Sequence, residues 1–483
     1  GIKYQSLDEL IWFQGLGICR QYKSNSSVFH GSSHVADAQQ QKAIMKVIIV
    51  GAGLGGLSCA IACCREGLEV EILERSLEVG EVGAGIQIPP NGTRIMRDFG
   101  LLPQLLERGS QVQQVDFRRY KDGNLLRTMP FGENITDEFG APWIIIHRVD
   151  YHRILLDEAL RLCASLQLGA EATHVSIEEP SVTLADGRMV SGDVIIGADG
   201  QMSTIRNTVL DAEHTPVPTG DMAYRATFSR NQLEALCDDK VNALCQKIAV
   251  TSWLGPDKHA IFYPVRGGQE FNLVLLRPDN LSTDTRREDG DVEEMHESYA
   301  DWDETLQKLI SCVPSAVKWK LTYLSELKSW TKGSVTLLGD ACHPTLPYQA
   351  QGAAMAVEDG AVVGKLLGLL QTHYLNSTKF GNDQSLSRLS TQYLIAGVLA
   401  LYEKNRKSRT TRNVRGAVMN RKLFHMQDGI LQKIRDFVLG YTGVTRKSDW
   451  TWFSSFRQRQ TLGLDVLQDC EKAFEEWKLS IQV

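Results

Sequence analysis

The chain has little of what would mark it as a membrane, nucleic-acid or disulfide-stapled protein. No apolar run reaches the ~18 residues that a membrane span needs; the longest candidates, 361–370 and 395–402, read as buried helix segments. There is no excess of basic residues. Lys and Arg number 52 against 58 Asp and Glu, and the net charge of −6 leaves no electrostatic footprint for nucleic acid. The ten cysteines form no C-x-x-C pair and no regular spacing, which argues against a disulfide framework. Free thiols and a cytoplasmic location are the expectation. No His/Cys/Asp cluster has ligand spacing, so no metal is expected. The first residues carry no basic stretch followed by an apolar one, as a signal peptide would, and no solenoid-length repeat is present. What remains is a globular composition, 43% hydrophobic and 23% charged, over 483 residues. That length suggests two or three domains.

The most informative stretch is 45–76, MKVIIVGAGLGGLSCAIACCREGLEVEILERS. Val47 to Val50 is a short β-branched run suited to a buried parallel strand. Gly51, Gly53 and Gly56 have the G-x-G-x-x-G spacing, and 57–65 can continue as a helix. A second strand over 70–73 ends at Glu74, about 20 residues on, where an acid can meet a ribose hydroxyl. Gly51 can make the turn, Gly53 lets a pyrophosphate approach, and Gly56 lets helix and strand pack closely. The helix N-terminus offers free N–H groups and a partial positive charge to the phosphates. This is a dinucleotide-binding βαβ opening, and NAD, NADP and FAD all use it. Cys59, Cys63 and Cys64 read as small packing residues of its helix. Met45 looks like the functional beginning, with 1–44 a poorly structured extension.

Further along, 79–91 reads as a glycine-rich loop leading to a helix over 92–99, and 112–120 with 125–129 as a hairpin around Asp122-Gly123. Asp150 is a candidate cap for a helix running to about Cys163. The pattern over 222–276 is mainly strand-like, interrupted by a helical stretch at 232–245. An exposed loop is expected over 280–291, one helix over 292–312, and strands over 321–330 and 335–338. A long apolar helix over 353–370 is followed by a surface loop at 375–386. From 394 onward the chain reads as helical, with a break at 440–448.

Three distant stretches narrow the choice of nucleotide. The first, GDVIIGADGQMSTIR over 192–206, ends a strand in Asp199-Gly200, followed by Ser203 and Arg206. The second, VTLLGDACHPTLPYQAQGAAMAVED over 335–359, ends a strand in Gly339-Asp340, followed by Pro344, Pro347, Gly352 and a helix with Glu358-Asp359. The third is His147-Arg148 before a helix. Together they resemble the signature set of the single-component flavoprotein aromatic hydroxylases, the salicylate and para-hydroxybenzoate hydroxylase family. VGAGIQIPPNGTRIMRDFGL from Val82, AYR at 223–225, YP at 263–264 and FHMQDGILQKIRD at 424–436 are similar to its fungal salicylate-hydroxylase-like branch. The resemblance spans 45–436.

That resemblance implies an α/β fold: a Rossmann-like, glutathione-reductase-like FAD-binding domain with an inserted, mainly β substrate domain and a C-terminal helical region. The parts would be 45–112, 147–212 and 321–372 for FAD, 113–146 and 213–320 for substrate, and 373–483 for the helices. FAD would lie along Gly51, Gly53, Leu54, Gly56, Glu74, Arg75, Gly85, Arg148, Asp199, Gly200, Asp340, Pro347, Gly352 and Ala353. Arg148 would face the pyrophosphate and Asp340 the ribityl hydroxyls, while the helix after Gly352 would aim its dipole at the flavin's pyrimidine ring. Arg75 also has a plain reading as a surface side chain. His343 reads as a structural hydrogen-bonder, Cys342 as packing, and Glu358 and Asp359 as acids placed in the N-terminal half of their helix.

The implied reaction is NAD(P)H-dependent and uses O₂. A C4a-hydroperoxyflavin hydroxylates a phenolic or other electron-rich small molecule, aromatic or polyketide- or alkaloid-like. A cation or donor near the substrate oxygen favours the reactive phenolate. Arg225 is the first candidate for that role and Tyr263 the second; Tyr224, Trp253 and His259 are weaker ones. Epoxidation or oxidative rearrangement would use the same electrophilic oxygen. An FAD-dependent reductase or dehydrogenase is the alternative from another class, and a flavin-bound scaffold the alternative outside enzymes.

Overall fold

The computed structural model describes residues 44–78, 83–375, 384–440 and 455–481. The extension before Ile44, most of the expected loop at 375–386 and most of the expected break at 440–448 lie outside the described residues.

A six-stranded sheet forms the base. Its order is Thr331–Lys332, Val335–Leu337, Val194–Gly197, Lys46–Val50, Glu69–Glu74, Ser165–Leu168. Only the Thr331–Lys332 edge runs antiparallel. Val47 through Val50 are buried on both faces, as a central parallel strand requires. Helix α1 (Leu54–Arg65) begins three residues earlier than its apolar pattern suggests, because Gly53 is extended and serves as its cap. Helix α2 (Pro90–Asp98) takes Pro90 into its first turn, where a missing N–H costs nothing. Helix α3 (Arg148–Arg161) has His147 at its N-cap, so Asp150 is not the cap. Asp150 lies in the first turn and pairs instead with Arg266 at 3.1 Å. Helix α4 (Thr204–Leu210) follows the Asp199-Gly200 turn. Helix α5 (Gly352–Leu370) lies directly on α1. Gly360 and Gly364 permit this approach: a Cβ at Gly360 would stand 2.6 Å from the Cys59 nitrogen, and one at Gly364 2.8 Å from that of Cys63.

An eight-stranded, mainly antiparallel sheet stands beside this base. It runs Arg287–Gly290, Ala316–Tyr323, Val217–Ser229, Glu270–Pro278, Lys258–Val265, Ala249–Gly255, Gln114–Arg119, Leu125–Pro130. Strand Arg287–Gly290 falls inside the expected loop, held by backbone pairing of Glu288 with Lys318. The expected strand over 321–330 instead spans Ala316–Tyr323, and the expected helix over 292–312 is two helices, Val292–Ser298 and Glu304–Ser311. Asp303 caps the second of these and accepts from the Trp253 indole N–H at 2.8 Å.

The long helix α6 (Gln384–Phe424) ties base and sheet together. Its Tyr402 hydroxyl donates to the Leu337 carbonyl at 3.0 Å, and its Phe424 ring packs 6.0 Å from Phe117. Helix α7 (Ile430–Gly440) follows and hangs over the Leu125–Pro130 edge. No helix of the described residues is long and apolar enough to cross a membrane.

Candidate functional site

The glycine-rich turn is shaped by close backbone approach. Gly51 has φ +105°, and its N–H donates to the Leu73 carbonyl at 2.8 Å. A Cβ at Gly51 or Gly56 would collide with the Ala198 or Gly51 backbone. Gly53 is different: a Cβ there would meet nothing within 4 Å. The space over Gly53 is open, and α1 begins there with no side chain on its free N–H groups. Glu74 spans the turn. One oxygen accepts the Ala52 N–H at 2.8 Å, the other the Ser76 N–H at 3.0 Å. His152 holds the Ala52 carbonyl from the other side at 2.7 Å. Arg75 points into solvent at the strand end.

Asp199 and Gly200 close the neighbouring strand. One Asp199 oxygen accepts the Thr204 and Ile205 N–H groups at 2.8 and 3.2 Å. The other is buried with no partner among the described residues. Burial pushes this carboxyl up, against hydrogen bonds that pull it down. Arg206 does not face a phosphate: it is buried, and its guanidinium donates to the carbonyls of Gln201, His214 and Ala341. It staples the Asp199 turn to the Asp340 turn.

Asp340 occupies a tight turn after Val335–Leu337, where Gly339 has φ +60°. The Asp340 side chain is exposed to solvent at this turn, with protein packed around its carboxyl. That enclosure pushes it up, while His343 and Arg148 pull it down. Arg148 opens α3, and its N–H donates to the Ala84 carbonyl at 3.0 Å. Pro347 begins a short turn ending at Ala350, φ +54°, and α5 starts at Gly352 and Ala353 with no side-chain cap. A second set of free helix N–H groups is therefore available.

The eight-stranded sheet turns one face to these turns. Tyr263 pairs with Asn272, and Arg225 with Val274 two residues along, so all three polar side chains share that face. Gly85 touches them: its N–H donates to Asn272 Oδ1 at 2.9 Å, and a Cβ there would be 2.5 Å from the Tyr263 ring. Asn272 is fully buried, and among the described residues neither its amide nitrogen nor Arg225 Nε has a hydrogen-bond partner. Burial and the nearby Arg148 charge push the Arg225 guanidinium down, and Tyr263 offsets them in part. Tyr263 is itself pushed up by burial and pulled back by Arg225. Tyr224 and Trp253 lie on the opposite face, in the core with Phe262 and Phe271. His259 shares the face of Tyr263 but sits at its far end, packed on Tyr348 and Phe424, with Nδ1 2.7 Å from His425 Nε2. Burial and His425 push it well below the usual histidine range.

The acids Glu358 and Asp359 have a sharper reason than helix-end preference. They stand midway along α5, fully buried, each bonded to Arg406 of α6 at 2.7 Å. Glu358 also binds Arg409 and Asn91, while Asp359 binds His343 and accepts the Gly339 N–H at 3.1 Å. Burial would raise Asp359, but His343 and Arg406 outweigh it and leave the carboxyl at about 2. Cys342, His343 and Asp359 are close enough to share a cation, yet Asp359 is already spent on these partners. Missing from the sequence reading were Asn272, Arg406 and Arg409. Two adjacent acids in an apolar helix are a signal that buried cations must exist elsewhere, since unpaired buried charge is not tolerated.

The open space at Gly53, the orphaned Asp199 oxygen and two uncapped helix N-termini suit an extended, anionic, hydroxyl-bearing dinucleotide. A profile described as "FAD binding domain" matches residues 44–373. The chain is 36% identical to the FAD-dependent monooxygenase OpS4 of Beauveria bassiana, over 90% of this chain and 98% of that protein. It is 31% identical to the 3-hydroxybenzoate 6-hydroxylase of Polaromonas naphthalenivorans, over 81% and 91%. A salicylate hydroxylase solved with its substrate shares the fold, with a TM-score of 0.71 at 21% identity, over 90% of this chain and 98% of that one.

Proposed function

The chain belongs to the family of FAD-dependent monooxygenases, and on that premise we propose that it hydroxylates a phenolic or related electron-rich small molecule, with Arg225 and Tyr263 against the substrate oxygen. FAD, when bound, supplies the redox chemistry, accepting a hydride from NAD(P)H and activating O₂. The chain's residues supply position and charge. Gly51, Gly53, Leu54, Gly56 and Glu74 take the adenosine diphosphate end. Gly85, Arg148, Asp199 and Gly200 line the middle, and Asp340 accepts from the ribityl hydroxyls. Pro347, Gly352 and Ala353 bring free N–H groups to the pyrimidine side of the flavin. Arg75 is left in solvent. A mainly β substrate domain inserted in an FAD-binding domain accounts for this division, and free thiols at nine described cysteines suit a reducing, cytoplasmic location.

The observation that carries the reading is the seam of Gly85, Asn272, Tyr263 and Arg225. It sets a half-buried cation, whose Nε is shielded from solvent, and a phenol hydroxyl where the substrate sheet meets the cofactor-side strand Gly85–Ile88. A guanidinium beside the substrate oxygen favours a phenolate over a phenol. The relatives' printed substrates, 3-hydroxybenzoate among them, are of that class. Titrating the FAD-loaded protein with phenols and following the flavin spectrum tests it. Binding should perturb the spectrum in wild type and fail in Arg225→Ala; equal binding in both would move the substrate elsewhere.

A further inference from the structure

Among the described tryptophans, Trp143, Trp253, Trp302 and Trp330 are buried in hydrophobic clusters, and Trp477 packs against one. Trp319 belongs to none of these clusters and is half-buried. Core packing therefore does not explain it.

Strand register sets its place. On Ala316–Tyr323, Trp319 stands opposite Ala223 of the neighbouring strand, and Val317 stands opposite Arg225. Residues two apart on a strand share a face. Trp319 and Arg225 are thus diagonal neighbours on the face that carries Tyr263 and Asn272, within reach of long side chains. The Arg225 guanidinium carbon lies 5.9 Å from the Trp319 ring centroid, in the range of a cation–π contact. Arg287, opposite Trp319 on the edge strand, is a second cation on the same ring, at 4.9 Å.

The other cations on the Arg225 strand and its two neighbours each have an acid. Arg277 and Lys318 share Glu294, at 2.7 and 2.5 Å, and Lys320 takes Asp279 at 3.5 Å. Arg225 has no such acid among the described residues, and its Nε has no hydrogen-bond partner there. An acid would hold the guanidinium, but it would also neutralise it and compete with an anionic substrate oxygen. An aromatic face holds it and leaves its charge and its N–H donors unspent.

We propose that Trp319 is the positioning residue for Arg225, its indole fixing the guanidinium at the substrate oxygen without compensating the charge. Without the ring, the substrate must itself order a flexible side chain, which costs affinity. This role rests on the assignment of Arg225 to the substrate oxygen.

The test is a double-mutant cycle on FAD-loaded protein, with 4-nitrophenol and 3-hydroxybenzoate as probes. The flavin spectrum gives the dissociation constants. The yellow phenolate of bound 4-nitrophenol, read in difference spectra across pH, gives its ionisation. Trp319→Leu should retain FAD and weaken the probes about 5- to 30-fold, the worth of a cation–π contact. It should also raise the pH at which bound 4-nitrophenol ionises. Trp319→Phe keeps a ring and should recover most of both effects. In an Arg225→Ala background, Trp319→Leu should add less than about twofold. Arg287→Ala should stay within about twofold of wild type. Unchanged binding in Trp319→Leu, an undiminished loss in the Arg225→Ala background, or an equal loss from Arg287→Ala would overturn the positioning role and leave the monooxygenase reading standing. If Arg225→Ala by itself changes neither affinity nor ionisation, the substrate assignment of Arg225 fails and the role of Trp319 falls with it.

Discussion

Replacing Arg406 by Met should cost more stability than any surface change in this chain. Arg406 is 1% exposed and holds two carboxylates that are both 0% exposed. Its Nε reaches Asp359 at 2.7 Å and its Nη2 reaches Glu358 at 2.7 Å. Methionine keeps much of the volume and removes the charge. Glu358 would retain Arg409 at 2.8 Å and Asn91 at 3.1 Å. Asp359 would retain only His343 and the Gly339 N–H. An uncompensated buried charge of this kind costs about 3–5 kcal/mol. Denaturant unfolding of the flavin-free protein, followed by tryptophan fluorescence, measures the loss without the stabilisation that bound FAD adds. Two controls isolate the cause. Arg415→Ala breaks an exposed pair and should cost less than about 1 kcal/mol. Arg406→Met/Asp359→Asn removes the stranded carboxylate and should recover part of the loss. A single variant within about 1 kcal/mol of wild type, or a double variant no better than the single one, would refute the reasoning.

Other outcomes follow from the same geometry. Gly53→Val should fold but fail to retain FAD on gel filtration, because its side chain would fill the open space over the turn. Asp340→Ala should weaken FAD affinity by about ten- to a hundredfold, the worth of a charged hydrogen bond to a hydroxyl, as read by fluorescence titration; unchanged affinity would end its ribityl role. Arg225→Lys should keep bound FAD yet release peroxide in place of hydroxylated product, since a point charge does not replace the planar fork; a peroxide assay checks it. The His259–His425 pair should make the fold acid-labile. Burial lowers both, His425 to about 4, so the unfolded chain binds more protons than the native one between pH ~6.5 and ~4. Stability is complete above that window and falls through it, by about 3 kcal/mol for His425 alone. The double variant His259→Asn/His425→Gln should flatten the profile.

The cofactor-side base was legible because its signals are local. Gly51, Gly53, Gly56 and Glu74 lie within one βαβ unit, and backbone geometry leaves few other residues that fit there. Secondary structure away from these signals was less legible. Strand Arg287–Gly290 has a charged, loop-like sequence and exists because Ala316–Tyr323 offers it a backbone ladder. Asp150 looks like a cap from its spacing, but tertiary pairing with Arg266 claims it. The face assignment of Arg225 and Tyr263 against Tyr224 and Trp253 follows from strand register, which a single strand's sequence does not contain. Asn272, Arg406 and Arg409 act at more than 45 residues from their partners, so only the folded chain reveals what they hold.

The central claim is that one oxygen atom of O₂ enters the substrate at a flavin held by this chain. Turnover of the FAD-loaded protein with NAD(P)H and a panel of phenols under ¹⁸O₂, read by mass spectrometry, tests it most directly. The account predicts product carrying one ¹⁸O atom, formed in step with nicotinamide oxidation. Product that gains its oxygen from water, or that loses two hydrogens and gains no oxygen, would contradict it.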